Sequence, residues 1–340
     1  MARYQTINVI SKRIWENFLL SKNPKSFLQS WNWAETNALM GDKVFRLGFV
    51  KNNKLVGICL LIKQDAKRGP HLLIPGGPIM DWKDKRVVQL FLKSVTGLAK
   101  QEGVWFARVR PEITESAEAR RMFSQLGFYP SPMHLNAENT WVLKIDRSEE
   151  ELLSGMRKTT RYLIRRSLKE GYHLERTVDL SKVGTLYNLQ KETVERHKFV
   201  GFPKSLFTHQ METFGNDDQA ELYLCKRRNK VLAAAIIIYY GDTAYYHHSG
   251  STSRYPKLSF SYFLQWQIML EAKRRGLKYY NFWGVSSDGN PKHRFAGVTI
   301  FKKGFGGEQV NWLHAHDLPI YPLYWCTHFF ELIRKRLRRL

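Results

Sequence analysis

The chain's 340 residues, 43% of them hydrophobic and 14% aromatic, are too many for one ordinary core and enough to fill two. Fifty-four Lys and Arg against thirty Asp and Glu leave a formal charge of +24, which points to polyanionic partners: nucleic acid, a phosphate-rich small molecule or an anionic membrane face. Residues 1–17 carry Arg3, Lys12, Arg13 and Glu16 without a long apolar run, so no signal peptide is expected, and the longest apolar stretch, residues 231–240, is far short of a membrane span. A cytoplasmic protein is the expectation. Cys59, Cys225 and Cys326 are widely separated and odd in number, which suits a reducing compartment and matches no zinc spacing, so no metal site is expected either.

In chain order, the first legible unit is a strand, a polar turn and a second strand around Asn53-Lys54-Leu55-Val56-Gly57. A long amphipathic helix follows, closing with Ala99-Lys100 and with Gly103 as its C-cap, then the aromatic strand Val104-Trp105-Phe106 and the pair Gly127-Phe128. Ser148-Glu149-Glu150-Glu151 reads as a capping box opening one helix that ends at Gly171. Along it Leu152, Met156, Thr160, Leu163 and Ile164 share one face, while Lys158, Arg161, Arg165 and Lys169 share the opposite one. Four cations without an acidic partner beside them form either a solvated face or a surface for an anionic ligand. Leu186, Leu189 and Thr193 then repeat at helical spacing and lead to Arg196.

The opening elements recur further on. Asn229-Lys230-Val231-Leu232-Ala233 lies 176 residues after the first turn, Ala272-Lys273 with Gly276 lies 173 after the first helix end, and Gly304-Phe305 lies 177 after Gly127-Phe128. Three landmarks in register indicate an internal repeat. The expected fold class is therefore α/β (α+β), with halves at residues 1–145 and 146–316. In the tail, Cys326, Phe329, Phe330, Ile333, Leu337 and Leu340 share one helical face, and Arg334, Lys335, Arg336, Arg338 and Arg339 cover the rest. That stripe can pack on the first half while the cations hold an anionic membrane, or the helix end can be simply solvated.

Three runs carry a resemblance. Ala244-Tyr245-Tyr246-His247-His248-Ser249-Gly250-Ser251 precedes the second long helix, Tyr279-Tyr280-Asn281-Phe282-Trp283-Gly284 follows it, and Ile300-Phe301-Lys302-Lys303-Gly304-Phe305-Gly306-Gly307-Glu308 comes near the end. In that order and spacing they resemble the Fem family of peptidoglycan-bridge aminoacyltransferases. The resemblance extends through Phe27-Leu28-Gln29-Ser30 with Trp33, Gly77-Pro78, Arg161 with Ile164-Arg165, and Thr193 with Arg196 and Phe199. It implies tandem duplicated acyl-CoA N-acyltransferase (GNAT)-like domains facing a shared channel, an aminoacyl-tRNA as co-substrate with no other cofactor, and an acceptor that is lipid II or UDP-MurNAc-pentapeptide. With no heptad segment over residues 220–307, it also implies the smaller, FemX-like arrangement without the helical-hairpin insertion, residues 317–340 returning to the first domain. A cytoplasmic monomer in peripheral contact with the inner membrane face is the accompanying expectation.

The implied reaction is attack of an amine on an aminoacyl ester, and fixed positive charge must face the oxygen that becomes negative. Lys302, expected after a strand and beside Gly304, Gly306 and Gly307, can supply that charge or belong to a solvated turn. The resemblance places Phe301 and Lys302 at the tRNA end, with Phe301 stacking on the terminal adenine. Arg196, ahead of a loop over residues 199–203, suits a bidentate pyrophosphate contact or a pair with Glu192 or Glu195. Tyr246 can donate to a phosphate or the peptide, or serve as a core tyrosine. Trp33, Thr193, Lys158, Arg161 and Arg165 complete the expected substrate-binding set. His247 and His248 are neighbours on a strand and are expected on opposite faces, with packing the first role for His248.

Two departures from the family pattern stand out. Arg110 precedes Pro111 where the family commonly has Asp, so the general base stays unassigned, with Glu112 a weaker candidate. A basic residue expected near Glu35-Thr36-Asn37 is missing, for which Lys43 or Arg46 is the substitute.

Two other classes compete. One is an N-acyltransferase of the same fold on another substrate, acetyl-CoA-independent or atypical, since an acetyl-CoA enzyme needs a glycine-rich turn of backbone N–H groups at a helix start. Before the second long helix stands Tyr255-Pro256-Lys257-Leu258-Ser259, where Pro256 has no N–H to offer. A basic RNA-binding protein explains the charge and leaves the repeat unexplained.

Overall fold

The computed structural model describes residues 2–197, 200–286 and 295–338. The chain lays down β1 (Tyr4–Asn8), α1 (Lys12–Leu20), α2 (Trp31–Leu39), β2 (Lys43–Lys51), β3 (Lys54–Gln64), β4 (His71–Pro75), β5 (Ile79–Met80), α3 (Lys85–Gln101), β6 (Phe106–Arg110), α4 (Ala117–Gln125) and β7 (Tyr129–Pro130). It continues with β8 (Asn139–Lys144), α5 (Glu149–Ser154), α6 (Lys158–Ser167), β9 (Tyr172–Thr177), α7 (Val183–His197), α8 (Lys204–Gly215), β10 (Ala220–Arg227), β11 (Lys230–Tyr240) and β12 (Thr243–Ser251). Then come α9 (Phe260–Arg274), β13 (Tyr279–Gly284), α10 (Ala296–Lys303), β14 (Glu308–Asn311), β15 (His316–Pro319) and α11 (Tyr324–Arg338).

One sheet has the order β1-β2-β3-β4-β6-β15-β7, with β5 beside β3, and the other β9-β10-β11-β12-β13-β8-β14. They are one pattern laid down twice. Each has a hairpin closed over two residues, Lys51 facing Lys54 and Arg227 facing Lys230. Asn52, Asn53 and Arg228 take positive φ there, as such turns demand. The same β-bulge follows each turn, at Phe49/Val50 and at Cys225/Lys226. Each sheet holds a parallel pair, β4 with β6 and β12 with β13, and each takes its sixth strand from outside the repeat. The long helices α3 and α9 end before Gly103 (φ 65°) and Gly276 (φ 77°), the left-handed position glycine fills without strain.

Two separate cores result. In one, Val87, Phe91, Val95 and Ala99 of α3 meet Phe49, Leu61, Ile74 and Val109. In the other, Phe263, Ile268, Met269 and Ala272 of α9 meet Tyr223, Ile237 and Tyr280. Each large apolar side chain buried this way contributes about 1.5–3 kcal/mol before chain entropy is counted. The chain divides into residues 1–138 with 311–340, and residues 139–310. These cuts differ from the expected 145 and 316 because β8 pairs with β13, while Trp312 N–H donates to Glu138 O (2.8 Å) and Leu313 N–H to Ile113 O (2.7 Å).

The single helix expected over residues 148–171 is two helices. Its capping box forms, Glu151 N–H donating to Ser148 Oγ (3.1 Å) and Ser148 N–H to Glu151 Oε2 (2.8 Å). The chain then breaks after Ser154 because the glycine-rich run docks there. Arg157 N–H donates to Gly304 O (2.9 Å), and a Cβ on Gly306 would stand 2.9 Å from Gly155 O. On Gly304 it would stand 2.5 Å from Thr160 Oγ1, and on Gly307 2.3 Å from Val142 O. Leu152, Met156, Thr160 and Ile164 are buried as expected, and Lys158, Arg165 and Lys169 are exposed.

The tail helix is oriented opposite to one of the expectations. Phe329, Phe330, Ile333 and Leu337 of α11 are 53–80% exposed, and Tyr324, Thr327 and Glu331 face inward. A buried cation dictates this. Arg108 of β6 donates from Nε to Asp317 Oδ1 (2.7 Å), and from Nη2 to Asp317 Oδ2 (2.9 Å) and Glu331 Oε2 (2.7 Å). Arg68 Nε meets the second Glu331 oxygen at 3.1 Å. Leu340 and Arg339 lie outside the described residues. Removing one partner of a buried ion pair strands the other, so Asp317→Ala should cost about 3–5 kcal/mol in urea unfolding, whereas Phe330→Ser should stay near wild type.

Candidate functional site

In the second unit β12 and β13 pair in parallel only over residues 243–245 with 279–281, although β12 runs on to Ser251 and β13 to Gly284. Alongside these stretches lies a cavity of about 330 Å³. In the first unit the equivalent pair stays closed. β4 and β6 match from His71↔Phe106 to Pro75↔Arg110, and Gly76 N–H extends the pairing to Arg110 O (2.9 Å).

A bulge shapes the floor. Ile236 faces His248 and Ile237 faces Tyr246, so His247 is the extra residue. The strand's alternation is lost there, and the two imidazoles lie with centroids 4.1 Å apart rather than on opposite faces as expected. His247 lines the cavity and bonds through Nδ1 to Gln210 Nε2 (2.9 Å). His248 is buried between Phe202 and Phe207, and burial pushes its pKa down to about 3. Tyr246, also on the cavity, has its hydroxyl pKa raised by burial.

A second irregularity sets the wall. The β13–β8 register slips between Asn281 and Gly284, and Trp283 takes φ 65° with its N–H held by Asn281 Oδ1 (2.8 Å). That conformation costs a bulky residue about 1–3 kcal/mol. It stands the indole edge-on to His247 at 5.0 Å. Opposite, Gly250 lets α7 rest on β12, since a Cβ would fall 2.4 Å from Gln190 N. This contact brings Thr193 and Arg196 to the cavity rim: Ser251 N–H donates to Thr193 Oγ1 (3.2 Å), and Arg196 donates to Ser251 O (3.4 Å) and Oγ (3.3 Å). Glu192, one of the alternative partners for Arg196, accepts from Thr252 Oγ1 (2.9 Å).

Lys302 comes from α10, not from a loop after a strand. The run Ala296–Lys303 is helical, anchored by buried Thr299, whose Oγ1 accepts Ser286 N–H (2.9 Å). Lys302 Nζ donates to Gly284 O (2.6 Å), and burial alone lowers its pKa to about 7. Phe301 lies edge-on to Tyr262 (5.0 Å) and Phe305 (5.2 Å).

Five expected residues, Lys302, Phe301, Arg196, Thr193 and Tyr246, thus line one cavity. The others do not. Arg161 donates to Ser154 O (2.8 Å) and Met156 O (3.0 Å), sealing the break between α5 and α6, and Lys158 and Arg165 lie exposed on α6. Trp33 belongs to the first unit, buried edge-on against Phe27 at 5.8 Å. Phe199 lies outside the described residues. Gln29 turns out to be structural: where β3 and β4 stop pairing, its Oε1 accepts Leu60 N–H (2.8 Å) and its Nε2 donates to Pro75 O (2.7 Å). Glu112 accepts from Ser26 Oγ (2.6 Å) and Arg110 (3.3 Å), while Lys43 pairs with Glu102 and Arg46 with Glu35. Sequence reasoning gave Trp283, Gln210 and Gly250 no individual role. Their only signal was membership of the aromatic runs, and Gln210 had none.

The start of α9 already carries an anion. Ser259 N–H donates to Glu170 Oε2 (2.9 Å), which Arg166 pairs from its Nε (2.7 Å to the other oxygen). This is where an acyl-CoA pyrophosphate would need free N–H groups.

Duplicated sheets with a parallel pair and one open cleft define an N-acyltransferase type of fold. The FemAB family pattern matches residues 10–228 and 220–332, and the chain belongs to that family. Lipid II:glycine glycyltransferase of Staphylococcus aureus (strain MRSA252) is 27% identical over 220 residues, 62% of this chain and 52% of that protein, and the protein of strain USA300 matches at the same identity and coverage. The chain spans about half the length of these relatives. A FemX crystal structure superposes with TM-score 0.82 at 20% identity, covering 94% of this chain and 99% of that one. A tandem GNAT protein from the clavulanic acid biosynthesis pathway gives 0.60 at 10%, with the same coverage. Both show the fold.

Since His248 titrates far below 6.5 in the folded chain, the unfolded chain binds the extra proton between pH 6.5 and about 3, and stability falls as pH drops through that window. His248→Phe should lessen that part of the pH dependence of the urea midpoint, His247, lowered by the same burial, supplying a further share.

Proposed function

We propose that the second-unit cavity receives the aminoacyl end of a charged tRNA, and that the protein transfers the amino acid to the stem-peptide amine of a peptidoglycan precursor, lipid II or UDP-MurNAc-pentapeptide. The observation that carries this is Lys302: a buried lysine, donating to Gly284 O, at the edge of a cavity that also holds Phe301, Tyr246 and Arg196. The family and the name of the glycyltransferase relatives support the substrate class.

The acceptor amine attacks the ester carbonyl carbon, a C–N bond forms, and the carbonyl oxygen becomes negative. A pKa near 7 leaves Lys302 about half protonated at neutral pH, and an anion in the cavity raises that fraction, so the ammonium is present when the charge develops. Collapse breaks the C–O bond and releases the ribose hydroxyl, while the amine's proton leaves to water or to that oxygen. Phe301 offers the terminal adenine a stacking face. Arg196, exposed on the rim, offers a bidentate contact to the acceptor's diphosphate.

Incubation with charged tRNAs and either precursor should yield a mass increase of one or more amino-acid residues; no adduct with any donor sinks the reading. Lys302→Ala should lower turnover about a hundredfold or more while precursor binding persists. Arg196→Ala should weaken precursor binding more than it slows the bound complex.

A lipid-linked acceptor requires work at a bilayer surface. Among the described residues no helix is long and apolar enough to cross a membrane. The outward face of α11 suits a peripheral contact instead, with Phe329, Phe330, Ile333 and Leu337 beside Arg334, Lys335 and Arg336, each cation contributing about 1 kcal/mol near anionic lipid. The protein should sediment with phosphatidylglycerol vesicles and not with phosphatidylcholine, and Phe329→Asp with Ile333→Asp should abolish this without lowering Tm.

A further inference from the structure

His134, Glu138 and His314 meet in the first unit, and their bonding raises a question of protons. Glu138 Oε2 lies 2.7 Å from Nδ1 of His134 and 2.7 Å from Nδ1 of His314, while its Oε1 accepts Ala315 N–H (2.9 Å). His314 Nε2 lies 2.6 Å from Ser131 O. A carbonyl only accepts, so Nε2 carries the hydrogen, and a neutral His314 then turns a lone pair toward a carboxylate. Two acceptors at 2.7 Å repel. Either the ring is an imidazolium, or a cation belongs between the groups.

The second resolution accounts for more of the geometry. A metal-ligating histidine commonly donates its other N–H to a backbone carbonyl, which fixes the tautomer, as Ser131 O does here. Ligating carboxylates are hydrogen-bonded in turn, as Ala315 N–H holds Glu138. The donor atoms of the three residues lie within 4.8 Å of one another. Two imidazole nitrogens and one carboxylate oxygen are a borderline-soft set, which favours zinc over calcium or magnesium. Tetrahedral bonds of about 2.0–2.1 Å put ligand atoms about 3.3 Å apart, so binding draws the carboxylate oxygen back about half an ångström from each ring and brings the two ring nitrogens, within 4.8 Å of each other, closer by at most about 1.5 Å. The His134 side chain is 61% exposed, giving a path in and leaving a fourth position to water.

We infer that His134, Glu138 and His314 form a binding site for a first-row divalent cation, zinc in particular, that joins the two chain segments of the first unit. Glu138 ends the first segment and His314 lies on the returning one. A cation there is structural: it ties residues 311–340 to the sheet whose sixth strand they supply.

The test uses the full-length, tag-free protein stripped with EDTA and then titrated with ZnCl2 by calorimetry, with cobalt(II) absorption reporting the geometry. The expected result is saturable binding of one equivalent, a tetrahedral cobalt spectrum, and a Tm that rises with the logarithm of free zinc. His134→Asn removes the most exposed ligand, leaves the Ala315 N–H and Ser131 O bonds of the other two in place, and should weaken binding tenfold or more. Glu138→Gln keeps the acceptor for Ala315 N–H and should abolish binding. Absence of saturable binding in the wild type, or binding unchanged in both variants, overturns the site. In that event proton NMR should find His314 as an imidazolium, in line with the carboxylate of Glu138 raising its pKa against the opposing effect of burial.

Discussion

Everything in the second unit follows from two neighbouring strands that begin paired and then part. A parallel pair in full register would leave no room beside it. In β12 and β13 the pairing is lost after three residues, and irregularities in both strands, at His247 and at Trp283, lie beside the gap. Trp283, at φ 65°, holds its strain where β13 also slips register against β8. The first unit shows the opposite choice. Its parallel pair stays paired to its end, where the buried Arg110 sits against Glu112.

The glycine-rich run near the end divides into two functions. Phe301 and Lys302 face the cavity, whereas Gly304, Gly306 and Gly307 press against α5, α6 and β8 more closely than any side chain allows. Lys302 is therefore held from behind. A fixed amine costs no reorganisation when charge develops, and a helix whose following glycines are pinned against Thr160, Gly155 and Val142 is how this chain fixes it.

Much of the fold was legible because duplication leaves marks that survive divergence: a two-residue turn needs residues that tolerate positive φ, and a helix end needs Gly. The cavity's membership was legible in part, since Lys302, Arg196, Thr193 and Tyr246 lie in runs whose chemistry is recognisable. What stayed hidden has a common cause. A bulge at His247 is decided by what packs against it, and no local pattern announces it, while the break after Ser154 carried one local mark, Gly155, that a helix read through to Gly171 passes over. The tail misled for the same reason. Its periodicity identified an apolar stripe correctly, but which face turns inward was settled by Arg108, more than two hundred residues earlier, which needed Asp317 and Glu331.

The sixth strand of each sheet comes from outside its own repeat: β8 stands before the second repeat, and β15 after it. This fixes an order of completion during synthesis. The second unit has all its strands once residue 311 has emerged, but the first, although it begins earlier in the chain, lacks a strand until residues 316–319 are made. Until then β6 presents an open edge and Arg108 has no carboxylate beside it. Of the two units, the one whose synthesis starts earlier completes its sheet later, which makes it the longer-exposed client for any chaperone and the unit more sensitive to a ribosome that stops between residues 311 and 316.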